Sequence, residues 1–271
     1  MTREPARVSA WPRVQIVVLV ALLALAALAW TYVIWLAKQM SAPSAMADMP
    51  GMDMSGAAMV APALVHWSAT HFLFILTMWA VMMVGMMTPT VTPTVLLYAR
   101  VTQQSTRPGW RLAPAAWFAA GYLGAWTLFS VLAALAQWGL ETLALLTPMM
   151  ASASHRFGGL VLLAAGAYQW LPVKDACLSQ CRTPLSFVQR HGGFQASAAG
   201  ALRLGLLHGG FCIGCCWALM AVLFVVGVMN LLWIAALMII VLLEKTAPGG
   251  RYLARGAGVA ALAAGAWLLG A

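Results

Sequence analysis

Between Arg13 and Lys38 the chain carries no charged residue, and residues 14–37 exceed the roughly 20 apolar residues that cross a hydrocarbon core. Further apolar runs lie at residues 70–98, 113–138, 157–171, 204–226, 231–243 and 256–271, the last of them short for a span. Charged residues make up 8% of the sequence and hydrophobic ones 63%, more apolar surface than a soluble domain can bury. The expected fold class is therefore all-α: a polytopic transmembrane helix bundle of six to seven spans, with the lipid bilayer as its first partner.

Within one membrane domain over residues 1–271, four stretches differ in character. Residues 14–37 follow Arg3, Arg7 and Arg13 and are too long for a cleavable signal, so they are expected to form an uncleaved signal-anchor. Residues 38–67 form a methionine-rich loop, and residues 68–245 the core bundle. Residues 246–271 hold a C-terminal apolar segment expected to be short for a span. Pro89 and Pro93 should kink or break the second span.

The net charge of +9 does not point to nucleic acid, because the basic residues fall in short segments between spans and no basic-aromatic patch accompanies them. Their distribution instead sets orientation. With the N-terminus cytoplasmic, only Lys38 and Arg156 of the fifteen Lys and Arg lie outside. The methionine-rich loop then faces the periplasm or exterior of a bacterial inner membrane, and the segment around Cys177 and Cys181 faces the cytoplasm. Five cysteines, mostly in or near spans, do not make a secreted disulfide framework.

The chemistry concentrates in His208-Gly-Gly-Phe-Cys-Ile-Gly-Cys-Cys216. On a helix His208, Cys212, Cys215 and Cys216 stand at i, i+4, i+7 and i+8 and share an arc of roughly 100°. Soft sulfur with one imidazole suits Cu(I), with Zn(II) second. Alternatively, buried cysteine packs as a small hydrophobe and Gly-Cys-Cys is a close-packing surface. Met46, Met49, Met52 and Met54, interleaved with Asp48 and Asp53, could collect Cu(I) where thiols would oxidise. Met82, Met83, Met86 and Met87 continue the sulfur into the second span as a relay or as ordinary core filling. Cys177 and Cys181 would share one face if their segment were helical, and could share a soft ion. Glu244-Lys245 is expected to be an interfacial ion pair, and Lys174 and Asp175 to mark a membrane boundary.

These residues carry a resemblance. Trp79 and Met86-Met87-Thr88-Pro89 form its first block. Tyr168-Gln169, Pro172, Lys174, Cys177 and Cys181-Arg182-Thr183-Pro184 form the second. Gly209, Cys212, Gly214-Cys215-Cys216-Trp217, Gly227, Met229-Asn230 and Glu244-Lys245 form the third and most specific. Over residues 67–245 the chain resembles the bacterial family of predicted metal-binding integral membrane proteins. Gly85, where that pattern has Ala, and the methionine-rich loop lie outside it. The resemblance implies metal binding in a membrane protein and names no reaction.

The expected function is binding and handling of a soft metal ion, most simply Cu(I), for transport, for delivery to a metallochaperone or metalloenzyme partner, or for metalloenzyme assembly. Two alternatives stand beside it: a thiol-redox protein using Cys177/Cys181 and Cys215/Cys216, and an assembly subunit whose cysteines merely pack. No nucleophile-base-acid constellation or phosphate loop is legible.

Overall fold

A computed structural model describes residues 13–41, 68–102, 113–147, 150–195 and 197–270, and among them regular structure is helical apart from one isolated bridge, Leu146 to Ser152. In chain order the helices are α1 (Arg13–Ser41), α2 (Ala69–Thr102), α3 (Ala113–Thr142), α4 (His155–Tyr168) and α5 (Pro172–Arg182). They continue with α6 (Pro184–Arg190), α7 (Ala198–Ala221), α8 (Leu223–Val226), α9 (Leu231–Thr246) and α10 (Gly250–Gly270).

Five stretches are long and apolar enough to cross a membrane: Arg13–Met40, Ala69–Val101, Ala113–Thr142, Ala198–Val226 and Gly250–Gly270. This list departs from the expected spans at both ends of the length scale. Helices α4 and α9 have 14 and 16 residues, short of the roughly 20 that a perpendicular crossing needs. The C-terminal segment, expected to be short, is instead a helix of 21 residues. It starts at Gly250, and Arg251 and Arg255 belong to its first turns and are both exposed. Arg255 lies over the Trp170 ring at 5.6 Å.

Local chemistry sets the boundaries. The Ser197 and Ser154 hydroxyls accept from the backbone N–H of Gly200 and Phe157 and start α7 and α4. Asn230 does the same for α9 through Trp233. Pro172 and Pro184 occupy the first turns of α5 and α6, where a missing N–H costs no hydrogen bond. Gly227, at φ 98°, takes the left-handed conformation that ends α8 and reverses the chain toward α9.

Pro89 and Pro93 do not break α2, which is continuous from Ala69 to Thr102. The hydroxyls of Thr88, Thr90 and Thr92 bond carbonyls one turn back, those of Val84, Met87 and Thr88. Helices α1 and α3 pack along either flank. Flanking helices of this kind let a helix run on through its prolines.

Two interfaces rest on glycine. Helix α3 lies along α7 so closely that a Cβ on Gly205 would fall on the Phe118 carbonyl oxygen, and one on Gly121 on that of Leu202. Helix α10 meets α4 through Gly159, Gly166, Gly258 and Gly265, where added Cβ atoms would come within 2.8–3.1 Å of the opposing glycine carbonyls. Small residues of this kind let two helix backbones approach closely, and the close packing then holds the pair together.

Candidate metal centre

Helix α7 presents His208, Cys212, Cys215 and Cys216 inward, and all four are buried. The Cys215 and Cys216 thiols both donate to the Cys212 carbonyl, at 3.1 and 3.0 Å. These local bonds turn both side chains back along the helix toward Cys212.

The third sulfur comes from elsewhere. Helix α5 docks on α7 and brings Cys181 inward, so that the ligand atoms of Cys181, Cys212 and Cys215 all lie within 4.8 Å of one another. A metal–sulfur bond is about 2.3 Å, which sets trigonal sulfurs roughly 4.0 Å apart and opposed ones roughly 4.6 Å apart. The three thiols therefore suit a two- or three-coordinate soft ion without rearranging the backbone. A tetrahedral ion would need a fourth donor from a neighbouring group.

A polar shell meets Cys212. Its Sγ lies 2.9 Å from Lys245 Nζ and 3.0 Å from the Tyr122 hydroxyl. Thr90 Oγ1 joins both, at 3.1 Å from the lysine and 3.2 Å from the tyrosine. It also stands 3.9 Å from Met87 Sδ. Helices α2, α3, α5, α7 and α9 thus each contribute a side chain to one buried locus.

The remaining candidates fall outside the three-thiol group. Cys216 is buried and bonded to the Cys212 carbonyl. His208 packs among the rings of Phe118, Tyr122 and Phe187, with centroids 5.8, 5.9 and 4.8 Å away, and its buried Nδ1 has no hydrogen-bond partner. Met82, Met83, Met86 and Met87 are all buried in the bundle core, with Met87 at the rim of the polar shell. Met46, Met49, Met52 and Met54 lie outside the described residues.

The expected Glu244–Lys245 pair does not form. Glu244 Oε2 instead pairs with Lys174 Nζ at 2.8 Å, both side chains being buried. Lys174 is therefore no boundary marker; it also donates to Gln169 Oε1. Neighbours on a helix diverge by about 100°, so a Glu-Lys dipeptide cannot serve one partner. Glu244 faces α5, and Lys245 faces the thiols. The part played by Lys245, Thr90 and Tyr122 was missed in sequence. For Lys245 a signal existed, since a charge closing an apolar run near thiols marks a functional group more often than an ornament.

The family model described as "PpoB2: Copper chaperone" matches residues 76–268. The chain belongs to this family. No curated protein matches the chain, and no solved structure does. The copper chaperone match takes in every residue of the locus, from Thr90 through Lys245, and begins after α1 and the methionine-rich stretch. It agrees in kind with the metal-binding family that the sequence motifs resemble.

Cys177 is the half-buried exception among the five cysteines, the other four being buried. Its Sγ rests against Gly214, where an added Cβ would come within 2.8 Å. Burial, and secondarily the nearby Cys215, push its thiol above the ordinary value of 9.0. A maleimide should therefore label one thiol per folded chain quickly, at a rate that climbs as pH rises through that raised value and the thiolate forms. Mass spectrometry of the labelled protein checks this, and a second site reacting equally fast would contradict the burial of Cys181.

Proposed function

We propose that this chain carries Cu(I) in the bacterial inner membrane, held by Cys181, Cys212 and Cys215, and yields it to a copper-requiring partner protein. The observation that carries the proposal is the meeting of three thiols from two helices in one buried group. Membership of a copper chaperone family supports the cargo. Thiol softness supports the cuprous state, and a three-sulfur set serves Cu(I) better than Zn(II), which favours four ligands.

Sulfur elsewhere in the chain would form the route. The exterior stretch with Met46, Met49, Met52 and Met54 would collect the ion, and Met82, Met83, Met86 and Met87 would line its passage along α2. Cys177, one turn from Cys181 and partly exposed, would be the outlet at which a partner's soft ligand takes over. Cys216 and His208 would provide transient donors beside the main three. The basic residues support a cytoplasmic N-terminus and so collection outside, and an outlet inside requires the short helix α4 to cross as well. Hand-over by exchanging one thiol at a time keeps Cu(I) coordinated throughout.

Protein purified from membranes after anaerobic Cu(I) loading should hold about one copper per chain, and the Cys181→Ser/Cys212→Ser/Cys215→Ser variant almost none. Equal copper in the two, measured by elemental analysis, would overturn the proposal.

A further inference from the structure

We infer that Lys245 is the resident counter-charge of the thiol cluster, a fixed cation that lets the buried site bind Cu(I) with one more thiolate than an uncharged interior would accept. The inference rests on the copper reading above and goes beyond it, to the charge balance that makes the site usable.

Lysine is almost never buried unless paired. Lys245 is 8% exposed, and its Nζ spends its hydrogen bonds on the Cys212 sulfur at 2.9 Å and the Thr90 hydroxyl at 3.1 Å. The adjacent carboxylate, Glu244, is committed to Lys174 on the other face of α9. Among the described residues, the group that faces the ammonium most closely is the Cys212 sulfur. The Tyr122 hydroxyl stands on the same sulfur, at 3.0 Å.

One thiolate neutralises Cu(I); a second makes the complex singly negative, and a buried net charge is costly. With one ammonium in contact, a complex with two thiolates is neutral overall. On loading, Cu(I) leaves the ligands of its donor and forms Cu–S bonds, and the protons displaced from the thiols that become thiolates pass to solvent. Lys245 keeps its charge throughout, and no electron moves. The third thiol completes the site as a neutral donor and is the first to be exchanged.

Lys245 would thus be a positioning and charge-balancing residue, not a copper ligand, since an ammonium has no lone pair to offer. The test separates charge from hydrogen bonding and from folding. Lys245→Gln keeps a donor near Cys212 and removes the charge, and Lys245→Arg restores the charge. Cu(I) affinity is read by competition with a chromophoric chelator, and sulfur coordination by copper K-edge absorption. Lys245→Gln should bind Cu(I) about 100-fold more weakly, as expected for a buried charge left unpaired, with one fewer sulfur neighbour. Lys245→Arg, which keeps the charge, should recover most of that loss and stay within about tenfold of the parent.

Parental affinity and sulfur count in Lys245→Gln would overturn the inference while leaving the copper reading intact. A failure of Lys245→Arg as deep as that of Lys245→Gln would overturn it too. If the triple cysteine variant retained copper, the metal reading itself would fall and this inference with it.

Discussion

Gly205→Val should abolish the folded protein, whereas Gly210→Val, five residues along the same helix, should leave it at parental levels. A Cβ at Gly205 would land on the Phe118 carbonyl oxygen and within 3.0 Å of the Tyr122 backbone nitrogen. Those atoms belong to the α3 backbone and cannot swing aside as a side-chain end can. Ordinary overpacking costs about 1–3 kcal/mol, but here relief requires α3 and α7 to separate along their length. That separation would also draw Cys212 away from Tyr122 and dissolve the polar shell. At Gly210 an added Cβ meets nothing within 4 Å. Size-exclusion profiles in mild detergent should show Gly205→Val as aggregate, with recovered monodisperse protein down at least about tenfold. Indistinguishable profiles for the two variants would show that α3 and α7 do not approach as closely as described.

The glycine-bearing interfaces explain why some of this architecture could be read directly from the chain. Lipid-length apolar runs leave helix as the economical way to satisfy the backbone, and α1, α2, α3 and α7 stand where those runs lie. The arc of His208, Cys212, Cys215 and Cys216 follows from helical period alone, and the structure puts all four on the buried face of α7. What periodicity cannot convey is which helix lies opposite. Cys181 reaches the group because α5 folds back onto α7, while a lysine and a glutamate seventy residues apart in sequence tie α5 to α9. Glu244 and Lys245 looked like partners because they are adjacent, when adjacency on a helix is what prevents it.

The methionines mark a different limit. Met78, Met82, Met83, Met86 and Met87 are buried alike, and a stripe that fills a core has the same spacing as one that passes an ion. Only Met87 is linked to the thiol locus, through the Thr90 hydroxyl. The C-terminal helix was underestimated for another reason: Arg251 and Arg255 lower the hydropathy of its first turns although they sit on its outer face. Average hydropathy sees the residue and not the face on which it stands.

Breaking the Lys174–Glu244 pair should cost more stability than removing it entirely. Lys174→Met alone leaves a carboxylate buried without its cation, and Glu244→Leu alone leaves the ammonium stranded; either should destabilise by about 3–5 kcal/mol. The double variant, with apolar groups in both places, should recover most of that loss, since a buried ion pair is often matched by well-packed hydrophobic side chains. Thermal unfolding in detergent, arranged as a double-mutant cycle, reads the difference. The copper site supplies an independent readout, because Lys174 and Cys181 share α5. The Arg182 guanidinium still ties the end of that helix to the carbonyls of Glu244, Ala247 and Pro248, at 2.7, 2.8 and 3.2 Å. Each single variant should therefore loosen α5 without freeing it, weakening Cu(I) binding by about tenfold as the third thiol drifts, and the double variant should restore affinity together with stability. Recovered stability without recovered affinity would instead make the ion pair itself, rather than the placement of α5, the thing that the copper site needs.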